Sequence, residues 1–262
     1  MSDRRLFIIC AADAASLAAS SAFAHLRPRP LFYFRFDVDL TTAGLLAAVF
    51  GLSNIFARAL GGVASDAAAR PFGMRGRLWA LWAVQSLGGA CALLMWRAQG
   101  SLGWTMAVVA AWSICVPMAC GATYGVAPFV TRRGLGAAYG LIGSGGNVGG
   151  AVTQALFFTS AGMSAADGFR WMGVMTLGVT ALLVFLRFPA WGGMLRKGNP
   201  ACSEADYYLS DYTRAEREAG LHVPSSRFAA ESRSQRGWRG EAEAAAAAEA
   251  AEAAAAKEES AA

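Results

Sequence analysis

Arg58 stands in the apolar run "GLSNIFARALGG", where no other residue carries a charge. An ionisable side chain inside such a run costs about 3 kcal/mol to insert into a bilayer, so its presence indicates a function. Asn54 precedes Arg58 by four residues and therefore lies on the same face of a helix. The forked, planar donors of a guanidinium suit a planar oxyanion. The sequence thus predicts an anion site at Arg58 and Asn54; the alternative is that the arginine only extends to the membrane interface.

The glycine-rich stretch "GSGGNVGG", residues 143–150, is the second candidate for function. Gly145 and Gly146 each begin a pair of glycines with a spacing of four, which lets another helix approach closely. Asn147 would place an amide at that contact. The alternative is helix packing alone. We discount a dinucleotide-binding loop, because such a loop follows a strand in a soluble βαβ unit and apolar runs flank this stretch on both sides.

An acidic residue and three arginines follow the first apolar run: Asp66, Arg70, Arg75 and Arg77. Ion pairs among them could form a latch between helix ends that opens when bundles of helices rock. The alternative is that these charges only set the orientation of the chain in the membrane. Both interpretations are compatible with the same spacing.

The elements that must position these residues are transmembrane helices. The chain is 55% hydrophobic and 16% charged, whereas a soluble protein has about a quarter of its residues charged. The sequence predicts five such helices, in apolar runs at 42–65, 80–96, 105–130, 134–158 and 171–188. The length of each run is close to the roughly 20 residues that span a bilayer, and no run shows the polar stripe of a surface helix.

Basic residues set the predicted orientation. Arginines concentrate in the segments 66–79 and 131–133 and at the exit of the last apolar run. Because such loops remain in the cytoplasm, residue 41 is expected to face outward and the carboxy-terminal tail to be cytoplasmic.

The first segment, residues 1–30, has three interpretations. Its run 6–26 could be a weak sixth span, weakened by Asp13 and by many Ser and Ala residues. It also resembles a cleavable signal, with a basic start, a short apolar stretch and small residues. The third possibility is that these residues are not a native start but an artefact of gene prediction.

The polar tail, residues 198–262, has a net charge opposite in sign to that of the body, residues 1–197. Residues 1–197 hold 16 Lys and Arg against 6 Asp and Glu, and the tail holds 7 against 12. A short helix is predicted within 204–220, and the low-complexity Ala/Glu end is expected to be solvated.

The basic body does not indicate nucleic-acid binding, because it lacks a polar cluster of basic residues with aromatics. The five cysteines are scattered and the two histidines are isolated. The sequence therefore predicts no metal site, no cofactor site and no His-based catalysis.

With these residues in view, the chain resembles the carboxy-terminal half of a major facilitator superfamily transporter. More narrowly, it resembles the high-affinity nitrate transporters of the nitrate/nitrite porter family in plants, algae and diatoms. The resemblance covers about residues 31–240 and is carried by "TAGLLAAVFGLSNIFARALGGVASD", "GLIGSGGNVGGAVTQALFF" and "YYLSDYTRAEREAGL", among other stretches.

The resemblance implies an all-α membrane protein, a six-helix half bundle over 31–197 completed by the weak first span. It implies that Arg58 matches the nitrate-binding arginine of the eighth helix, and that Asn147 with Gly145 and Gly146 matches the nitrate signature of the eleventh. The family's second arginine and second signature belong to an amino-terminal half, which is expected as a partner. A single-span accessory protein is a further partner that the family implies.

The predicted function is therefore the transport of nitrate or nitrite across the plasma membrane by alternating access, coupled to protons, without enzymatic activity. The chain is expected to be a fragment that holds half of the substrate site. The alternative is a half-transporter that does not transport and acts as a membrane partner or regulatory subunit.

Overall fold

The computed structural model of the protein describes residues 4–25, 40–97, 100–159, 164–196, 198–199 and 202–231. Six long helices form its body: α1 (Arg4–His25), α2 (Leu40–Phe72), α3 (Met74–Arg97), α4 (Leu102–Val126), α5 (Leu135–Gln154) and α6 (Ala165–Leu182). Single turns prolong three of them: a 3-10 turn (Ala127–Phe129) after α4, a π-helical turn (Ala155–Thr159) after α5 and a 3-10 turn (Leu183–Phe185) after α6. The predicted all-α class is confirmed for the described residues, apart from one short pair of strands.

Each predicted span falls largely within one of these helices. Three helical stretches among the described residues are long and apolar enough to cross a membrane: Met74–Arg97, Leu102–Phe129 and Ala166–Phe185. The last predicted span, 171–188, differs from the structure at both ends, because α6 begins at Ala165 and the chain leaves helical geometry after Phe185. Arg187 and Phe188 instead form strand β1, which pairs antiparallel with β2, Gly192–Gly193.

The prediction that the segment 66–79 is a loop, which rested on its charges, is wrong. α2 continues to Phe72 and α3 begins at Met74, so a single residue connects the two helices. Gly73 makes this corner with φ of 62°, a left-handed conformation that glycine adopts without steric cost. Its N–H donates to the Ala69 carbonyl at 2.7 Å, and its own carbonyl accepts from the Gly76 N–H at 3.0 Å. Charged residues therefore continue both helices beyond their apolar stretches.

Residues 4–25, for which the sequence left three interpretations, form one helix that packs mainly against α5. Small residues make this packing possible, because a Cβ atom at Gly149 of α5 would overlap Ala14 of α1 and one at Gly146 would overlap Leu17. The Gln85 side chain of α3 donates a hydrogen bond to the Ala12 carbonyl at 3.0 Å. α1 is thus an integral part of the bundle.

α4 occupies the centre of the bundle and packs against α1, α2 and α3. Its contact with α2 is a backbone contact made possible by glycine on both sides. A Cβ atom at Gly61 would overlap the carbonyl of Met118, and one at Gly121 would overlap the carbonyl of Arg58. Small residues at such crossings let helix backbones approach closely. The position of Arg58 is therefore fixed by the crossing of α2 and α4.

Three short helices end the described chain: α7 (Glu204–Leu209), α8 (Arg214–Glu218) and α9 (Val223–Glu231). They pack under the bundle through an aromatic cluster of Phe129, Trp191, Tyr207, Tyr208 and Phe228. The short helix predicted within 204–220 is thus two helices. The predicted Ala/Glu end, 241–262, lies outside the described residues.

Candidate functional site

Arg58 lies on an exposed part of α2 whose other exposed side chains are apolar. Ile55 and Phe56 beside it are 65% and 69% exposed, and Leu60 and Val63 continue the apolar surface. A guanidinium among such residues is unfavourable against lipid. This surface, residues 52–63 of α2, therefore needs a polar ligand or a second layer of protein over Arg58.

Asn54 lies one helical turn before Arg58 and is half-buried. Because α2 is continuous from Leu40 to Phe72, the two side chains share a face as the sequence predicted. Between them and α4, the Ser53 hydroxyl donates a hydrogen bond to the Ser113 carbonyl at 2.9 Å. α2 is thus held to α4 at the level of the candidate anion ligands.

The glycine-rich stretch lies in the middle of α5 and faces α1. Gly146 is buried, and a Cβ atom there would overlap Leu17 and come within 2.9 Å of an Asp13 carboxyl oxygen. A Cβ atom at Gly145 would lie 3.7 Å from the Cβ of Cys10. These two predicted substrate residues therefore border helix α1. Asn147 is exposed.

The structure brings together four polar side chains that the sequence did not connect. Asp13 of α1, Arg58 of α2, and Cys120 and Tyr124 of α4 interact electrostatically with one another around the centre of the bundle. The Tyr124 hydroxyl also faces the backbone of α5, because a Cβ atom at Gly143 would lie 3.2 Å from it. Sequence reasoning treated Asp13 only as a weakness of a span; an acid inside an apolar run was the signal that could have identified it.

At the other end of α2, one of the predicted latch pairs is formed. Arg77 Nη1 lies 2.5 Å from Asp66 Oδ1 and donates to the Ser65 hydroxyl at 3.3 Å. The Arg77 side chain is buried, and its guanidinium lies 5.1 Å from the centre of the Phe129 ring. Arg77 thereby joins the ends of α2, α3 and α4. Arg70 is exposed and Arg75 is half-buried, and the described residues give neither of them an ion pair.

Arg77→Ala is expected to lower the free energy of unfolding by about 2 kcal/mol, because it removes a buried side chain that packs on the Phe129 ring and leaves the buried Ser65 hydroxyl without its charged donor. The matched control is Arg214→Ala. Arg214 pairs with Glu218 at 3.1 Å but is 94% exposed, so its loss should change stability by less than about 0.5 kcal/mol. Thermal unfolding of the detergent-solubilised protein measures both, and equal losses would contradict a structural role of the Arg77 contacts.

The short carboxy-terminal helices contact the same end of the bundle. The Tyr207 hydroxyl donates to the Phe129 carbonyl at 2.8 Å and accepts from Arg5 of α1 at 2.5 Å. Arg133, in the connection between α4 and α5, pairs with Glu216 at 2.5 Å. The pKa of Glu216 lies below its usual range because the Thr213 backbone N–H and hydroxyl donate to its carboxylate, and Arg133 lies beside it. The tail therefore closes over the end of the bundle that carries Arg77.

The described residues hold no group of three or more His, Cys, Asp or Glu side chains placed to bind a metal ion. Arg58 and Asn54 offer N–H donors on one face of α2. The candidate site contains one guanidinium with an amide nearby, and a buried carboxyl close enough to interact with that guanidinium electrostatically.

Several known proteins are similar to the chain. It is 47% identical over 210 residues to Nitrate transporter 2.1 of Chlamydomonas reinhardtii, a match that covers 78% of this chain and 38% of that relative. It is 45% identical over 208 residues to High affinity nitrate transporter 2.5 of Arabidopsis thaliana, covering 79% and 41%. It is 43% identical over 201 residues to High-affinity nitrate transporter 2.3 of Oryza sativa subsp. japonica, covering 77% and 39%.

The chain thus spans about two fifths of the length of these relatives. No protein-family model and no solved structure matches it. The relatives are named as transporters rather than as enzymes, and together with the three apolar helices they indicate a multi-pass integral membrane protein.

Proposed function

Because the chain belongs to the family of high-affinity nitrate transporters, the nitrate/nitrite porters of the major facilitator superfamily, we propose that it binds nitrate or nitrite at Arg58 and carries it across the plasma membrane. The observation that supports this role is the exposed guanidinium within an otherwise apolar surface of α2. Nitrate is small, planar and anionic, so the forked donors of Arg58 can bind two of its oxygens. Asn54, one turn away, is a second donor, and Asn147 of α5 a third.

The proposed transporter works by alternating access between two halves, with substrate at their interface. The exposed apolar residues of α2, including Ile55, Phe56 and Leu60, support this arrangement because they form a face suited to a second bundle of helices. In this proposal a second, amino-terminal half supplies the opposing ligands of the anion. In this proposal the half formed by this chain consists of six helices. α2, α5 and the three apolar stretches are the five predicted spans, and α1 is the sixth.

The remaining parts of the proposal concern orientation and coupling. Positive charge at the corner of α2 and α3 and between α4 and α5 favours a cytoplasmic location for these ends and for helices α7–α9. Arg77 and Asp66 would then form a cytoplasmic latch that closes one state of the transport cycle. A proton travels with the anion, and a single-span accessory protein is the further partner that this family implies.

The test is nitrate uptake in a host that lacks nitrate transport. The chain is expressed alone and together with the amino-terminal half of a relative, and depletion of nitrate and of sulfate from the medium is followed. We expect uptake of nitrate but not of sulfate when both halves are present, because the forked, planar donors of a guanidinium suit a planar anion whereas sulfate is tetrahedral.

Uptake of neither anion in any combination, with the chain present in the membrane and without nitrate binding, would reject the proposal. Nitrate binding without uptake, in both combinations, would instead favour the alternative of a half-transporter that acts as a membrane partner.

A further inference from the structure

The buried carboxyl of Asp13 lies where α1 meets α5, with the Cys120 thiol of α4, a weak hydrogen-bond donor, beside it. The residue is 0% exposed, and neither carboxyl oxygen has an N–H or O–H donor as a partner among the described residues. Gly146 provides the space, since a Cβ atom there would lie 2.9 Å from Asp13 Oδ2. A charged carboxylate buried without a partner is very unfavourable, so such a group either binds a proton or lies in the field of a cation.

The cation in reach of Asp13 is Arg58, whose charge acts on it across α4. Consecutive residues of α4 connect the two: Cys120 lies next to the Asp13 carboxyl, and Gly121 contacts the Arg58 backbone. Asp13 and the backbone of Arg58 therefore both lie against the same turn of α4. A change in the charge at Arg58 changes the electrostatic field at Asp13.

The other titratable groups near Asp13 do not supply a compensating charge. Cys10 on its own helix and Cys120 and Tyr124 on α4 are neutral when protonated. α5 contributes the glycine surface, and α3 contributes the Gln85 amide, which is bound to the Ala12 carbonyl. From α6 and the turn after it, no titratable group acts on Asp13 within the described part of the chain. The state of the carboxyl is thus governed by its burial, by the Cys120 thiol, by the charge of Arg58 and by the proton.

We propose that Asp13 is the resident counter-charge of Arg58, and that an anion bound at Arg58 takes over this role while the Asp13 carboxylate takes up one proton from solution. The inference rests on the proposed function of Arg58. In the empty site the carboxylate lies in the field of the guanidinium. When nitrate binds, its negative charge cancels that field and leaves the buried carboxylate uncompensated, so the neutral acid becomes the stable form. No bond other than O–H forms, and the net charge of the site is conserved.

This linkage makes anion binding depend on pH in a defined direction. At low pH, where Asp13 is protonated in the empty protein, nitrate affinity is independent of pH. At higher pH each nitrate must bring one proton, and the dissociation constant rises by up to about tenfold per pH unit. Asn cannot be deprotonated, so Asp13→Asn is expected to bind nitrate with one affinity at all pH values, close to the low-pH affinity of the wild type.

The experiment is calorimetric titration of nitrate into the chain reconstituted in lipid nanodiscs together with the amino-terminal half of a relative, across a pH series and in buffers of different ionisation enthalpy, which counts the protons taken up. The wild type is expected to take up close to one proton per nitrate at the upper end of the series. Asp13→Asn should take up none. Ser16→Ala is the matched control: Ser16 is buried one turn away on α1 and donates to the Ala12 carbonyl at 3.2 Å, so this variant should keep the proton uptake of the wild type.

Infrared difference spectroscopy of the wild type keeps the inference testable if Asp13→Asn fails to fold. Nitrate should produce the signal of a newly protonated carboxylic acid. Nitrate binding without proton uptake and without this signal rejects the role of Asp13 and leaves the proposed function standing. Unchanged proton uptake in Asp13→Asn also rejects it. A wild type that binds no nitrate at any pH rejects the proposed function and, with it, this inference.

Discussion

Gly61→Ala is expected to destabilise the protein by about 3 kcal/mol. The new Cβ atom would overlap the Met118 carbonyl, a backbone group that cannot rotate away as a flexible side chain would. α2 and α4 would therefore have to separate along the crossing that also places Arg58 against Gly121. The loss of close packing should appear as a lower midpoint of thermal unfolding and a smaller yield of folded protein in detergent.

Gly62 provides the control in the next position of the same helix. No atom lies within 4 Å of a Cβ atom built at Gly62, so Gly62→Ala removes a flexible glycine without any steric conflict. Because alanine is favoured over glycine inside a helix by up to about 1 kcal/mol, this variant should be as stable as the wild type or more so. Equal unfolding midpoints for the two alanine variants would contradict the close approach of α2 and α4.

Arg58→Lys is expected to weaken nitrate binding by about 10-fold to 100-fold, and Arg58→Gln by at least as much. Lysine keeps the charge but is a point donor that cannot bind two oxygens of a planar anion in parallel. A charge-assisted hydrogen bond contributes about 1.5 to 3 kcal/mol, and each 1.4 kcal/mol corresponds to a factor of ten in the dissociation constant. Titration of nitrate into the protein in nanodiscs measures the change.

Arg97→Lys serves as the comparison for this substitution. Arg97 is the last residue of α3, is exposed and lies 5.8 Å from the centre of the Trp96 ring. Exchanging it for lysine alters an arginine that has no part in the proposed site, so the affinity for nitrate should stay within experimental error of the wild type. Retention of full affinity in Arg58→Lys would remove Arg58 from the binding site.

The helical body of the molecule could be predicted from sequence because its cause is local. Runs such as 105–130 are apolar on every side, and only a helix satisfies the backbone of such a run in a bilayer. The shared face of Asn54 and Arg58 follows from helical spacing alone. The corner at Gly73 could not be predicted in this way, because charge was taken as a sign of a loop although α2 and α3 extend as helices through their charged ends.

The environment of Asp13 could not be predicted because it depends on three helices at once. Its burial requires the glycines of α5, its neighbour Cys120 comes from α4, and the charge that acts on it comes from α2. No spacing within α1 contains this information. The docking of α7–α9 escaped prediction for a similar reason, since Tyr207 and Trp191 become a cluster only when the tail folds back onto Phe129.

The corner at Gly73 has a mechanical consequence. Only Gly73 lies between α2 and α3, and the Asp66–Arg77 pair connects the two helices next to this corner, so we expect them to move as one rigid unit. α2 carries Arg58, and α3 carries Gln85, which is bonded to the backbone of α1 beside Asp13. A displacement of α2 at the level of Arg58 is therefore expected to move α3 with it and to act on α1 through the Gln85 hydrogen bond. The Arg58 guanidinium and the Asp13 carboxyl are thus coupled through the backbone of the helices as well as through their charges.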